Sequence, residues 1–237
     1  YRVRKRSKLE PIHTVYQPII HISTGKVLGY EALTRGRGRW ELPADLFRRS
    51  YEEGFVMALD LECMWRALRI LPKLGSRKLL FVNAEPTTLC HAFVKGREGD
   101  LLLRKVSRYA RQIVFELTEG MKGRDFPLLK KGVSFLKKKR FRFAIDDIAG
   151  VGSKLFRLLS LEPDFVKIDI SLVKGLGENR LQQGLVSRLV DLGTKYDCLV
   201  IAEGVERKGE LAFVRRMGIP YAQGFYFARP KPYLETP

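Results

Sequence analysis

Phe143-Ala144-Ile145-Asp146-Asp147 is a short apolar run that ends in two adjacent carboxylates, and Ile148-Ala149-Gly150-Val151-Gly152 follows it directly. The run reads as a buried strand that stops where the glycines begin. Two Asp residues side by side at a strand end repel each other and are costly to hold unless positive charge lies between them. A divalent metal is the commonest remedy. Whether the chain supplies the remaining ligands decides both its fold and its chemistry.

Outward from that strand the chain alternates. Strand character is expected at 13–21, 27–33, 78–83, 112–117, 165–169, 198–203 and 221–227, besides 141–146 itself. Between the strands lie helical patterns. From Pro43 to Leu74 apolar residues recur at three and four (Leu59, Cys63 or Met64, Ala67, Leu68, Leu71), and Phe126, Leu129, Val133 and Leu136 share one face. Further helices are expected at 179–195 and 208–217. Ser23-Thr24-Gly25-Lys26 is a turn between the first two strands, which should therefore pair antiparallel. Eight strands separated mostly by helices are the signature of an α/β fold of the TIM-like (β/α)8 barrel type, here with an antiparallel first strand. Residues 1–12 read as a basic entry segment or linker and 13–237 as one barrel domain. The chain begins at Tyr1, so it is expected to be a piece of a longer protein.

The 237 residues suffice for such a barrel, and 44 Lys and Arg against 26 Asp and Glu leave a net charge of +18. That charge favours anionic partners without naming one. Local clusters stand at Arg2 to Lys8 and at Lys137 to Arg142, but no aromatic-interleaved basic motif is present and no specific nucleic-acid partner is expected. No apolar run approaches the roughly 20 residues that span a bilayer, and no export signal is visible, which makes a cytoplasmic location the expectation. Cys63, Cys90 and Cys198 form no CxxC pair, against a disulfide framework or a zinc site. His13, His21 and His91 make no ligand pair at helical spacing.

In a barrel of this kind the working residues come from the C-terminal ends of several strands. Read in order, those positions hold Glu31, Asn83, Glu116, the pair Asp146 and Asp147, Lys167, Glu203 and Gln223. Oxygen ligands without Cys or His suit Mg²⁺ or Mn²⁺. Several carboxylates with one able to bridge suggest two ions, which can activate a water and clamp the leaving oxygen of a phosphodiester. Lys167 either stabilises charge on phosphorus and orients the water, or neutralises the carboxylates as a salt bridge.

Tyr30-Glu31-Ala32-Leu33-Thr34-Arg35 resembles the signature of EAL domains, bacterial phosphodiesterases that open cyclic di-GMP to linear pGpG. The chain also carries, in the family's order, Tyr16-Gln17-Pro18-Ile19, Val82-Asn83, Glu116-Leu117-Thr118-Glu119, Asp146-Asp147, Lys167-Ile168-Asp169, Ala202-Glu203-Gly204-Val205-Glu206 and Gln223-Gly224-Phe225. The resemblance implies Glu31, Asn83, Glu116 and Asp146 as ligands of a first metal, and Asp146, Asp147 and Glu203 as ligands of a second. It gives Glu203 the general-base role and Lys167 the hold on the attacking water. It implies Gln17 and Arg35 as substrate contacts, Arg35 on a phosphate, and Asp60 on a guanine edge. Glu119 would anchor the loop after the Asp pair, with Glu206 and Gln223 in supporting roles. Mg²⁺ or Mn²⁺ would support turnover and Ca²⁺ would inhibit. A homodimer through 153–159 and 179–195 and an upstream sensory or regulatory domain are further implications.

The resemblance is not complete. The family usually reads Asp-Asp-Phe-Gly-Thr-Gly-Tyr-Ser-Ser-Leu where this chain reads Asp146 to Leu155 with its glycines displaced by one place, and Arg35 is followed by Gly36 rather than Trp. A displaced glycine changes where positive φ is available. This departure supports a second reading, a cyclic di-GMP receptor or protein-interaction module with weak or no catalysis.

Overall fold

The computed structural model describes residues 12–36, 43–118 and 126–234. The basic segment 1–11, the stretch 37–42 and Glu119 lie outside the described residues. Eight strands close a barrel in sequence order: β1 His13–His21, β2 Val27–Arg35, β3 Leu79–Asn83, β4 Ile113–Thr118, β5 Arg142–Ile148, β6 Phe165–Ile168, β7 Leu199–Ala202 and β8 Tyr221–Ala222. The first strand runs antiparallel to both its neighbours, β2 and β8, and the other neighbouring pairs are parallel. The helices are α1 Pro43–Glu52, α2 Val56–Leu68, α3 Pro86–Lys95, α4 Arg97–Val106, α5 Phe126–Lys138, α6 Ser153–Leu159, α7 Ile170–Val173, α8 Arg180–Lys195 and α9 Lys208–Arg216. No helix among the described residues is long and apolar enough to cross a membrane.

Strand side chains alternate between two faces, and here the alternation separates two cores. Leu80, Val82, Phe115, Leu117, Phe143 and Ile145 point outward against the helices. Phe81, Val114, Ala144, Phe165 and Ile201 fill the barrel interior, where the Phe81 and Phe165 rings meet edge to face with centroids 5.1 Å apart. Such a ring pair adds about 0.5–1.5 kcal/mol beyond its area. Two residues further along the same strands stand Asn83, Glu116, Asp146, Lys167 and Glu203. The apolar plug therefore forms the floor of a polar layer.

Two expectations are corrected. The helical stretch 43–74 is broken into α1, α2 and a 3₁₀ turn at Leu71–Lys73. Gly54 takes φ 72° and the Phe55 amide donates back to Ser50 O at 2.8 Å, a left-handed C-terminal cap that ends α1. The eighth strand is only Tyr221–Ala222, because from Gly224 the chain turns over the rim, with Phe227 N donating to Gly224 O at 3.1 Å. The helix expected from 179 begins where it should: Asn179 Oδ1 accepts from the amides of Leu181 and Gln182 at 3.0 and 3.2 Å, as a helix N-cap does.

Candidate active site

At the centre of the polar layer lies Lys167, fully buried on β6. Its Nζ is 2.7 Å from Glu116 Oε1, 2.7 Å from Glu203 Oε1, 3.0 Å from Asp146 Oδ1 and 3.5 Å from Glu31 Oε2. Burial alone would lower the ammonium's pKa, but the four carboxylates outweigh it and hold it well above its ordinary value. Burial likewise disfavours the charged form of the acids but there moves the pKa the other way, raising the Glu116 and Glu203 carboxyls well above the usual carboxylate range, while Lys167 pulls them down. Asp147 is pushed up to about 6 by burial and by the charge of Asp146.

In a regular strand Asp146 and Asp147 would face opposite ways. The β5–β6 register slips between Ile145 and Ile148, and Asp147 takes φ 59°. This bulge turns both carboxylates toward one rim. Ile148, just beyond, is fully buried and pairs again with Ile168. The left-handed residue at the corner is Asp147 itself; Gly152 is extended at φ −155° and Gly150 is not at positive φ. The displaced glycines therefore do not set the aim of Asp147. On β7, Glu203 is fixed by its amide to Ile168 O at 3.0 Å, and Gly204 follows at φ 65°, where a Cβ would stand 2.2 Å from the Ile170 side chain. Only glycine fits that close approach.

Two groups of three carboxylates can each converge on one point: Glu31, Glu116 and Asp146, and Asp146, Asp147 and Glu203, with ligand atoms within 4.8 Å of one another. Asp146 belongs to both. Five carboxylates against one ammonium leave the layer short of positive charge, and buried Glu116 Oε2 has no hydrogen-bond donor. An all-oxygen donor set with an orphaned buried carboxylate oxygen fits hard divalent cations. Asn83 stands beside this set, Nδ2 reaching Glu31 Oε1 at 3.4 Å. Gln223 Nε2 donates to Glu31 Oε2 and, at 3.0 Å, to Gln17 Oε1, and Gln17 in turn donates to Ala228 O at 3.0 Å. The rim residues expected from sequence are thus brought together.

Others stand apart from the cluster. Arg35 and Asp60 line a neighbouring cavity of about 350 Å³ that opens onto Asn83, Glu116 and Asp147. Arg35 Nη1 donates to Thr34 O at 2.8 Å. Asp60, on α2, is buried and accepts the Glu85 amide at 3.1 Å; desolvation pushes its carboxyl up to about 7. Glu206 does not join the acidic layer: it is exposed, 3.4 Å from Lys174 Nζ. Sequence reasoning missed Glu85 and Tyr51, whose hydroxyl donates to Glu85 at the cavity. Glu85 lies two residues past Asn83 on the same rim, and that spacing was the available signal.

The chain matches the EAL domain family over residues 2–230. It is 31% identical over 180 residues to the probable cyclic di-GMP phosphodiesterase PdeA of Escherichia coli, covering 75% of this chain and 24% of that protein. It is 30% identical over 214 residues to the cyclic di-GMP phosphodiesterase PdeF of the same organism, covering 87% of this chain and 28% of that one. The chain thus spans about a quarter of the length of these curated relatives. Among solved structures, a standalone EAL protein from Vibrio cholerae in its c-di-GMP-bound form superposes with a TM-score of 0.82 at 27% identity, covering 96% of this chain and 95% of that one. A manganese and cyclic di-GMP complex of Klebsiella pneumoniae BlrP1 gives 0.80 at 27% identity, covering 94% and 56%. With a family match across nearly its whole length, the chain belongs to the EAL domain family.

Proposed function

We propose that this barrel is a metal-dependent phosphodiesterase that opens cyclic di-GMP to linear pGpG. The observation that carries the reading is the pair of carboxylate groups sharing Asp146 above the buried ammonium of Lys167. Glu31, Asn83, Glu116 and Asp146, and Asp146, Asp147 and Glu203, would hold divalent cations, which when bound would supply the positive charge that offsets the phosphate and makes a water acidic. The chain's own groups do the rest. Glu203, mostly buried and with its carboxyl pKa raised, accepts the proton of the attacking water. Lys167 holds that water and keeps the acidic layer from repelling the phosphate. Water oxygen bonds to phosphorus, the ester bond to the ribose 3′ oxygen breaks, and that oxygen takes up a proton from solvent while Glu203 releases the one it accepted. Arg35 presents a planar guanidinium to a phosphate, Gln17 contacts the substrate, and Asp60 meets a guanine edge in the 350 Å³ cavity.

The receptor reading rests on the altered stretch Ile148 to Gly152. What favours turnover over binding alone is that Asp147 remains grouped with Asp146 and Glu203 despite that stretch. Chromatography of cyclic di-GMP incubated with the protein tests the proposal: pGpG is expected with Mg²⁺ or Mn²⁺, and binding without cleavage with Ca²⁺. Cyclic di-GMP that stays bound but intact at high enzyme and Mn²⁺ gives the site to the receptor reading.

The chain is read as acting in the cytoplasm as one domain of a longer signalling protein, paired with a second copy. Exposed Phe156 on α6 and Leu181 on α8 support pairing through 153–159 and 179–195. Light scattering during size-exclusion chromatography should give twice the chain mass, and a monomer at micromolar concentration refutes the pairing.

A further inference from the structure

The acidic layer stands at the C-terminal ends of the strands; the opposite end of the barrel exposes a group of cations. The connectors entering the neighbouring strands β3, β4 and β5 all lie there, and they expose Lys73, Arg77, Arg108, Arg111, Lys138 and Lys139. Gln112 ties two of these connectors together, donating to Gly75 O and Lys78 O at 3.0 Å each. Among the described residues, the acids engaged with cations at this end are Asp100 on Arg104 and Glu162 on Lys137. These six exposed cations stand at the barrel end away from the site where substrate would bind.

We propose that this end of the barrel docks on an acidic phospholipid bilayer. Connectors at one end of a closed barrel present their cations across one face, which suits a surface rather than a filament. Several Lys and Arg gathered on one face suffice to draw a protein onto anionic lipid. A cavity of about 310 Å³ between Arg104, Ser107 and Lys139, floored by Leu103 and Phe141 and edged by Asp100, has the size and cationic lining for a lipid headgroup. At its margin Leu101 is 52% exposed on the same α4 stripe as Arg104 and Lys105, an aliphatic group able to enter the headgroup layer. Single-stranded nucleic acid would need open ring faces for stacking. Three aromatic rings beside these connectors are instead capped by cations, Lys105 over Trp65 at 4.7 Å, Arg108 over Tyr109 at 4.7 Å and Lys139 over Phe135 at 4.9 Å. Docked this way, the acidic mouth faces away from the membrane.

Sedimentation with vesicles tests the proposal on the whole chain. Partition onto vesicles carrying about 30% phosphatidylserine is expected to exceed that onto phosphatidylcholine alone by at least about tenfold, and to fall steeply as salt is raised. Arg111→Glu/Lys138→Glu/Lys139→Glu should lose most of that partition. Arg48→Glu/Lys130→Glu/Lys208→Glu, the same charge change placed on exposed residues elsewhere, should keep it. Equal partition onto the two vesicle types, or equal loss in both variants, overturns the proposal. Complete displacement by a DNA duplex at matched phosphate concentration also overturns it and assigns the face to nucleic acid. If circular dichroism shows the first variant unfolded, the corresponding Gln variant takes its place under the same criterion.

Discussion

Lys167 and Asp60 are both buried charges, and their surroundings give them opposite fates. Lys167 is surrounded by acids, so removing it strands Glu116, Asp146 and Glu203 in a buried place without their cation. Lys167→Ala is expected to cut turnover at least about 100-fold, and Lys167→Arg is not expected to restore it, because a planar fork does not fit a fully enclosed ammonium site. Glu31→Ala should likewise abolish turnover, measured as pGpG released; retained activity would remove Glu31 from the metal set. Asp60 has no ion pair among the described residues. Its carboxyl is raised from 3.8 to about 7, so the folded state binds the extra proton between those values. Stability must then fall as pH rises through that window and level off above it, at a cost of about 4 kcal/mol at pH 8. Asp60→Asn removes the ionisable group and keeps an acceptor for the Glu85 amide. Its stability advantage in denaturant titrations should grow from pH 4 to pH 7, and a pH-independent difference defeats this account.

On the scale of elements, the bulge in β5 joins fold to chemistry. Asp147 occupies the left-handed region, which a side-chain-bearing residue adopts at a cost of about 1 kcal/mol, and it does so beside a second carboxylate. Asp147→Gly should therefore raise the melting temperature by about 2–4 °C while sharply reducing turnover. A variant that loses both stability and activity shows that the corner depends on the Asp side chain for more than metal binding. None of this geometry was legible in the sequence, where the glycines at 150 and 152 seemed to be the residues with conformational freedom. What was legible follows from short-range rules: apolar runs closed by a polar residue marked the strands, and Asn179 marked the start of α8. The break at Gly54 was hidden by apolar spacing that continues from α1 into α2. Glu85 and Tyr51 were hidden because their contact joins positions 34 residues apart in the chain.

On the scale of the whole barrel, the described residues set a carboxylate layer at one end and the exposed connector cations Lys73, Arg77, Arg108, Arg111, Lys138 and Lys139 at the other. Among the described residues Lys167 is the cation that compensates the acidic end from within, and four carboxylates share it. Bound divalent cations should then stabilise the fold as a whole, since the folded barrel gathers these ligands from β2, β4, β5 and β7 and an unfolded chain does not. At an ion concentration about a hundred times its Kd the gain is about 2.7 kcal/mol, which for a domain of this size raises the melting temperature by about 5–10 °C. Calorimetry with Mn²⁺ against a chelator measures the shift in the absence of any nucleotide. Glu116→Gln should keep the barrel folded, because the amide matches the carboxylate in volume, yet lose much of the Mn²⁺ response. A shift of equal size in that variant would place the ions somewhere other than the acidic layer. The same experiment separates the two ends of the barrel: reversing charge at Arg111, Lys138 and Lys139 leaves the Mn²⁺ shift intact if the ends act independently.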